Sequence, residues 1–130
     1  MEDTKTFFLI DDDTDDRMIF KEALECLEQS FHYVEATDGQ EALDMIKHKN
    51  IKVPDVIFLD LNMPKVGGYE VLVHVKEMPL YKSVPVFIYT TSSNQFDIDR
   101  CMRAGATGFI TKHNSFDDLC KELSLLVEKI

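Results

Sequence analysis

Short apolar runs alternate with longer segments of helical periodicity along the whole sequence, and this alternation constrains the fold more than any other feature. Five runs are short enough to be strands, at residues 7–10, 33–36, 56–59, 86–89 and 109–111. Such alternation is typical of βαβ units, in which helices cover a parallel sheet. The sequence therefore predicts an α/β fold with five strands and five helices.

The composition of the runs predicts where each strand lies in the sheet. Runs 7–10, 56–59 and 86–89 are apolar throughout, as expected for interior parallel strands that are buried on both faces. The second run contains Glu35 and the fifth ends in Thr111, so these two are predicted to be the edges. Right-handed crossovers would place helices on both faces of the sheet.

Apolar residues spaced by three and four positions predict the five helices. Thr14 and Ser115 are predicted to cap the first and last helices, and turns at Thr37-Asp38-Gly39 and Gly67-Gly68 precede the second and third. The predicted buried positions are Ile19, Ala23, Cys26 and Leu27; Ala42, Leu43 and Ile46; Val71, Leu72 and Val75; Ile98, Cys101 and Met102; and Leu119, Leu123, Leu126, Val127 and Ile130.

Length and composition predict one domain over residues 1–130, since 130 residues with 45% hydrophobic content can bury one core. The net charge of -10 disfavours a nucleic-acid partner, because phosphate backbones are bound by clustered Lys and Arg. No apolar run is long enough to span a membrane, and the acidic start does not resemble a signal peptide. Cys26, Cys101 and Cys120 are predicted to be reduced core residues of a cytoplasmic protein.

Carboxylates directly follow the first and third predicted strands. Asp11, Asp12 and Asp13 come after the first strand and Asp60 comes after the third, so we expect them at the ligand-binding edge of the sheet. Like charges repel at this range, and Mg²⁺ relieves such repulsion through carboxylate oxygens and water. Any single Asp is more often a solvent-exposed cap. The combination across two strands favours a metal site.

Thr90 and Lys112 occupy the corresponding ends of the fourth and fifth strands. Thr90 offers a hydroxyl, and Lys112 offers a point charge for a carboxylate or phosphate oxygen. Either residue alone is more often a turn residue or a solvated charge. Together with the carboxylates, they complete the set of groups needed for metal-assisted phosphoryl transfer.

Four motifs resemble those of the receiver domains of bacterial response regulators. They are FFLIDDDTDD, VIFLDLNMPKVGG, VPVFIYTTSS and AGATGFITK, which occur in this order and cover nearly the whole chain. A hydrophobic strand followed by D-x-x-M-P-x-x-G is itself a strong mark of the family. The resemblance implies a flavodoxin-like doubly wound sheet with strand order 2-1-3-4-5.

The resemblance also implies roles for individual residues. Asp60 would accept a phosphoryl group, and Asp11 and Asp12 would form the acidic pair, with Asp12 binding Mg²⁺ directly. Asn62 would contribute its backbone carbonyl to the metal. The implied metal ligands are therefore Asp11, Asp12, Asp60 and Asn62.

Three further residues would assist the transfer and transmit its signal. Thr90 would bond a phosphoryl oxygen, Lys112 would pair with the acyl phosphate, and Phe109 would turn inward on activation. The phosphodonor would be a histidine kinase or histidine phosphotransfer protein, and the chain would act as a signalling switch rather than as an enzyme. Because the chain stops at Ile130 without an effector, a separate protein would read the face of the fourth helix, fifth strand and fifth helix.

The sequence departs from the family pattern at two places. His113 stands where the family usually has Pro after the Lys. A cis bond before a non-proline residue costs about 2.5–4 kcal/mol, so we predict a trans Lys112-His113 bond. Asp13, Asp15 and Asp16 enlarge the acidic patch, and we interpret them as charges that favour a helix N-terminus.

Three other functions share some of these features. A haloacid-dehalogenase-like phosphatase also uses a strand-end Asp with Mg²⁺, but it resembles D-x-D, whereas the second acid is Asn62 here. A flavodoxin-type cofactor binder would need a Gly- and hydroxyl-rich phosphate loop, and the carboxylates after the first strand would repel FMN. A degenerate receiver could serve as a scaffold only, although the complete set of Asp12, Asp60, Thr90 and Lys112 argues against it.

Overall fold

Strands and helices alternate strictly in the computed structural model, which describes residues 4–91, 94–112 and 115–130. The strands are β1 (Lys5–Ile10), β2 (Phe31–Ala36), β3 (Val56–Leu59), β4 (Val86–Thr90) and β5 (Gly108–Thr111). The helices are α1 (Thr14–Leu24), α2 (Gly39–Lys47), α3 (Gly68–Glu77), α4 (Gln95–Arg103) and α5 (Phe116–Val127). The predicted order of elements is confirmed. None of these helices has the length and apolarity needed to cross a membrane.

The five strands form one parallel sheet in the order β2-β1-β3-β4-β5, which confirms the predicted 2-1-3-4-5 arrangement. β2 and β5 are the edges, as the composition of those runs predicts. In β3 every residue is buried, and in β1 only Lys5 has substantial exposure. The apolar character of these strands therefore reflects cover from helices on both faces.

Side chains that alternate along the strands pack into two separate apolar cores, one on each face of the sheet. One core packs Phe8, Ile10, Ile57 and Ile88 of the strands against α2, α3 and α4. The other packs Phe7, Leu9, Phe58 and Tyr89 against α1 and α5. This period-2 division follows from strand geometry, and it produces the doubly wound arrangement that the sequence predicts.

Helix caps agree with the sequence at α5 but not at α1. Ser115 caps α5 and accepts a hydrogen bond from the amide of Asp118. The prediction that Thr14 caps α1 is wrong, because Thr14 is already the first helical residue and Asp13 is the cap. The extended backbone of Asp13 brings its carboxylate to 2.9 Å from the Asp16 amide, which satisfies a backbone donor of the first turn.

The buried face of α1 lies one position away from the predicted face. Phe20, Ala23 and Leu24 are buried, whereas Ile19 is 43% exposed and Cys26 lies exposed beyond the end of the helix. The reason is aromatic packing: the Phe20 ring centroid lies 4.7 Å from that of Phe58 and anchors the helix through that side.

Several other predicted core positions are also more exposed than expected. Met102 is 44% exposed, while Ile98 and Ile130 are only partly buried. Among the cysteines, only Cys101 is buried, so the prediction of three core cysteines is wrong for Cys26 and only partly right for Cys120.

Candidate functional site

The carboxyl ends of β1 and β3 place Asp11 and Asp60 side by side. Ile10 pairs with Leu59 in the sheet register, and the Asp60 amide donates a hydrogen bond to the Ile10 carbonyl at 2.9 Å. Both aspartates are buried, with 0% exposure for Asp11 and 5% for Asp60. The two carboxylates are therefore adjacent at one edge of the sheet, as the sequence predicts, and the structure shows in addition that both are removed from water.

Asp12 completes a group of three carboxylates that could hold a metal ion. One oxygen each from Asp11, Asp12 and Asp60 lie within 4.8 Å of one another, and Asp12 is exposed to solvent. Hard divalent cations bind carboxylate oxygens together with water, so these three residues offer the kind of ligand set that such an ion takes. Asp11 Oδ2 is buried, and its one close polar neighbour in the described part of the chain is the ammonium of Lys112, at 2.7 Å.

Lys112 directs its ammonium group into this acidic cluster. Its Nζ lies 2.7 Å from Asp11 Oδ2, 2.8 Å from Asp16 Oδ2 and 3.4 Å from Asp60 Oδ2. The backbone N–H of Lys112 donates to the Thr90 carbonyl at 3.0 Å, which extends the pairing of β4 and β5 by one residue. The lysine side chain is only 7% exposed, so these ion pairs are shielded from solvent.

Asp16 also belongs to the site, although its sequence position predicts only a charge that favours a helix N-terminus. It lies in the first turn of α1, where its charge favours the macrodipole, and it also receives a hydrogen bond from Lys112 Nζ. Its position four residues after Asp12, on the helix that follows β1, is the one sequence signal for this contact. Asp13 caps the helix, and Asp15 and Asp16 lie in its first turn, so the interpretation is confirmed for all three and Asp16 has the contact with Lys112 in addition.

The electrostatics of the site follow from burial of like charges around one ammonium group. Burial raises the pKa of Asp11 to about 6, even though the Lys112 ammonium opposes the shift. Burial also raises the pKa of Asp60. For Lys112, burial alone would lower the pKa, but hydrogen bonds to Asp11 and Asp16 outweigh burial and raise it. The site therefore contains an ammonium that stays charged and carboxylates that favour a bound cation.

Asn62 and the loop that follows Asp60 shape the outer side of the site. The Asn62 amide donates to Asp60 Oδ1 at 3.3 Å, and its side chain is exposed. The loop closes where Gly68 starts α3, because a Cβ at this position would lie 2.2 Å from the Asp60 carbonyl oxygen. Only glycine allows this close approach of backbone to backbone.

Thr90 and Phe109 lie on the same face of neighbouring strands. Ile88 pairs with Phe109 and Thr90 pairs with Thr111, so Phe109 and Thr90 both point to the side covered by α2, α3 and α4. Thr90 is 1% exposed, and Phe109 is partly buried against the core on that side. The structure thus places these two predicted residues close together in the sheet, with Thr90 at its carboxyl end.

Arg17 is a second residue at the site that its sequence position does not predict. Its guanidinium donates to the Asp11 carbonyl at 2.8 Å and contacts Glu35 Oε2 at 3.3 Å. These contacts fix the turn after β1 to the edge strand β2. The Lys112-His113 bond, which the sequence predicts to be trans, includes a residue outside the described ranges and stays a prediction.

Comparisons with known proteins agree with this geometry. The family model of the response regulator receiver domain matches residues 7–124. Response regulator Rcp1 of Synechocystis sp. is 31% identical over 121 residues, covering 90% of this chain and 82% of Rcp1. Sensor histidine kinase CheAY of Helicobacter pylori is 36% identical over 103 residues, which are 79% of this chain but only 12% of that protein.

Solved structures give the same result at the level of the fold. The crystal structure of the phosphorylated cyanobacterial phytochrome response regulator RcpA has a TM-score of 0.88 at 32% identity, covering 97% of this chain and 93% of RcpA. The structure of the Mn²⁺-bound form of response regulator Rcp1 has a TM-score of 0.84 at 29% identity, covering 94% of this chain and 91% of that one. Since the family model spans residues 7–124 and these neighbours share the fold at TM-scores above 0.8, this chain belongs to the response regulator receiver domain family.

Proposed function

We propose that this receiver domain accepts a phosphoryl group on Asp60 from a phosphohistidine of a histidine kinase or phosphotransfer protein, in a Mg²⁺-dependent reaction in the cytoplasm. One observation carries the proposal: Lys112 Nζ lies 3.4 Å from buried Asp60, whose carboxylate forms a group with those of Asp11 and Asp12 in which the oxygens lie within 4.8 Å of one another. A nucleophile, a fixed cation and a metal-ligand set therefore share one pocket. We further propose that residues 1–130 form one such domain, since the match at 7–124 leaves only short ends.

The proposed reaction is a direct displacement at phosphorus. An oxygen of the Asp60 carboxylate forms the O–P bond as the N–P bond of the phosphohistidine breaks, and the imidazole leaves with the electron pair and takes up a proton. Asp11 and Asp16 fix Lys112 beside Asp60 before the reaction starts. The ammonium is therefore already in position to pair with a phosphoryl oxygen, and little reorganisation is needed.

The side chains of Asp11, Asp12 and Asp60, with the backbone carbonyl of Asn62, would hold Mg²⁺. When bound, Mg²⁺ supplies positive charge to the oxygens of the transferring group. The crowding of the Asp11, Asp12 and Asp60 carboxylates supports this assignment, because their three negative charges exceed the single positive charge of the Lys112 ammonium beside Asp11 and Asp60. The preference for Mg²⁺ over other divalent ions rests on the all-oxygen ligand set.

Intact-mass measurement with phosphoramidate, a small N–P phosphodonor, tests the proposal. We expect a gain of one phosphoryl group with Mg²⁺, and no gain with EDTA or in Asp60→Asn. Asp15→Asn is the matched control, since Asp15 is exposed in the first turn of α1 and contributes nothing to the cluster. Phosphorylation of Asp60→Asn at the wild-type level would place the phosphoacceptor elsewhere.

The proposed output is a change on the surface formed by α4, β5 and α5, read by a separate protein. Thr90 and Phe109 lie on one face of β4 and β5, so a Thr90 hydroxyl drawn to a phosphoryl oxygen would vacate space next to Phe109. With a net charge of -10, we propose a protein rather than a nucleic acid as the partner. Phosphorylation and partner binding would then strengthen each other reciprocally.

NMR shift mapping with beryllofluoride, an acyl-phosphate mimic, tests this output. We expect changes at Asp60, Thr90 and Phe109 and along β5 in the wild type, and loss of the distant changes in Thr90→Ala. Shifts confined to the loops around Asp60 in the wild type would contradict the coupling.

A further inference from the structure

Cys26 and Cys120 bring their sulfur atoms together on the helical layer formed by α1 and α5. Cys120 Sγ donates a hydrogen bond to Cys26 Sγ over 2.7 Å, and Cys26 Sγ donates to the Glu22 carbonyl at 3.9 Å. Both residues are free thiols. The two sulfurs are therefore direct neighbours, and a disulfide forms between cysteines that are close together.

The pair is open to reagents from solvent. Cys26 is exposed just after the end of α1, and Cys120 in α5 is partly exposed. A cavity of about 430 Å³ lies beside Cys26, and its lining includes the carboxylates of Glu28 and Glu128. This cavity has room for a small molecule, and its two carboxylates favour a cationic one over an anionic one.

We propose that Cys26 and Cys120 form a reversible modification site, at which a small disulfide oxidises the two thiols to an intramolecular disulfide. The inference concerns the α1–α5 side of the fold and is independent of the function proposed for Asp60. It goes beyond the packing role of these cysteines, because buried cysteines are inert and these two are accessible.

The reaction proceeds by two exchanges. Cys26 loses its proton, and its sulfur attacks one sulfur of the small disulfide; a mixed disulfide forms and one small thiol leaves. Cys120 Sγ then attacks Cys26 Sγ, the intramolecular S–S bond forms, and the second small thiol leaves. Two cysteine thiols are oxidised and one small disulfide is reduced to two thiols, with both protons transferred to the products.

The roles of the two cysteines follow from their surroundings. Cys26 is the more exposed of the two, so it meets the reagent first. Partial burial and the hydrogen bond with Cys26 raise the pKa of the Cys120 thiol to about 11, so Cys120 is protonated at neutral pH. Cys120 is therefore the resolving residue, which acts when Cys26 carries the small thiol.

Cys101 cannot take the place of either residue. It is buried on the other side of the sheet, in the core formed with α2, α3 and α4, whereas Cys120 packs against the core formed with α1 and α5. The sheet separates it from the pair. Cys101→Ser is therefore a control for the loss of a cysteine that cannot join the pair.

Intact-mass measurement after incubation of the reduced protein with cystamine, a cationic disulfide, tests the proposal. We expect a loss of about 2 Da, the mass of two hydrogens, in the wild type and in Cys101→Ser. Cys120→Ser should stop at the mixed disulfide on Cys26, and Cys26→Ser should lose no mass. Serine is close in size to cysteine and both sites are at least partly exposed, so we expect the variants to fold; far-UV circular dichroism checks this.

Two further readouts make the test specific. Cystamine should react several-fold faster than anionic glutathione disulfide, and Glu28→Gln with Glu128→Gln should reduce that ratio. The oxidised wild type should also unfold at a higher temperature than the reduced protein, since the bond links residues that are 94 positions apart. A wild type that accumulates only the mixed disulfide on Cys26, or links Cys101 instead, would overturn the proposal.

Discussion

The apolar residues of strands β1 and β3 and the aspartates that directly follow them are buried to nearly the same degree but differ in chemistry. Along residues 7–10 and 56–59 the sheet buries only apolar side chains, each with 0–1% exposure. One residue further on, Asp11 and Asp60 are buried almost as completely, with 0% and 5% exposure. Burial of apolar side chains stabilises the fold, whereas burial of carboxylates raises their pKa and destabilises it. Equal burial therefore raises the free energy of unfolding within the strands and lowers it at the aspartates that follow them.

Removing a side chain from the apolar end should have the largest effect. Phe58 is fully buried, and its ring centroid lies 4.7 Å from that of Phe20 and 6.0 Å from that of Phe87. We expect Phe58→Ala to lower the free energy of unfolding by about 3–5 kcal/mol, measured by urea denaturation. Phe96→Ala is the control at an aromatic residue that is 64% exposed, and it should change stability by less than about 0.5 kcal/mol. Similar losses for both variants would mean that burial of Phe58 does not stabilise the fold.

At the charged end, Asp11→Asn should affect stability with a defined pH dependence. The pKa of Asp11 is about 6 in the folded chain and 3.8 without the fold, so the folded state binds more protons between these values. Its contribution to stability is thus fully present below pH 3.8 and is lost as pH rises through 6. Asn cannot ionise, so the stability of the variant relative to wild type should rise from pH 4 to pH 7.5, by up to about 3 kcal/mol.

This pH series is measured by urea denaturation with EDTA present, so that no divalent ion compensates the carboxylates. Any fixed cost of the Asn amide next to Lys112 is the same at both pH values and cancels from the change. Asp15→Asn, at an exposed position outside the carboxylate group, is the control variant. A relative stability that falls from pH 4 to pH 7.5 would contradict the assignment of Asp11 as a destabilising buried charge.

Capping of α1 should give an intermediate effect at the same end of the sheet. We expect Asp13→Ala to cost about 1 kcal/mol, because the Asp16 amide loses its acceptor, while Thr14→Ala changes stability by less than about 0.5 kcal/mol. Thermal or urea unfolding of the two variants at pH 7 checks the difference. A larger loss for Thr14→Ala would show that Thr14, and not Asp13, caps α1.

The smallest expected effect is that of Asp16, whose side chain is 31% exposed. Asp16→Asn and Asp15→Asn both remove a charge from the first turn of α1, but only Asp16 contacts Lys112. We expect Asp16→Asn to cost about 0.5–1 kcal/mol more than Asp15→Asn, since solvent screens the pair in part. Equal losses would mean that Asp11 and Asp60 alone position the lysine.

Strand composition and the points where the strands end predict the edge strands and the position of the site well, whereas the full order 2-1-3-4-5 is implied by the resemblance to receiver domains. Asp11, Asp60, Thr90 and Lys112 all follow or end apolar strands, and parallel strands bring such residues to one edge. The three-carboxylate group could be predicted for the same reason. The roles of these residues in phosphoryl transfer depend on the bound metal ion and phosphoryl group, which strand periodicity does not encode.

The contacts of α1 could not be predicted, because they depend on how the helix is rotated against the sheet. Ile19 and Phe20 are adjacent apolar residues, and only the packing of Phe20 on Phe58 decides which of them is buried. The same rotation directs Asp16 and Arg17 towards the site. Successive residues of a helix are rotated by about 100°, so an error of one position in the predicted buried face changes the predicted direction of every side chain in α1.

The close approach of Gly68 to the Asp60 carbonyl determines where a reporter group could be attached near the site. A side chain at Gly68 would push the start of α3 away from the strand that carries Asp60. Lys65, in contrast, is exposed within the same loop and has φ of 64°, a conformation that an ordinary side chain adopts at some energetic cost. A Lys65→Gly change should relax the loop, and a fluorophore or spin label on the Lys65 side chain should report on this loop without displacing α3.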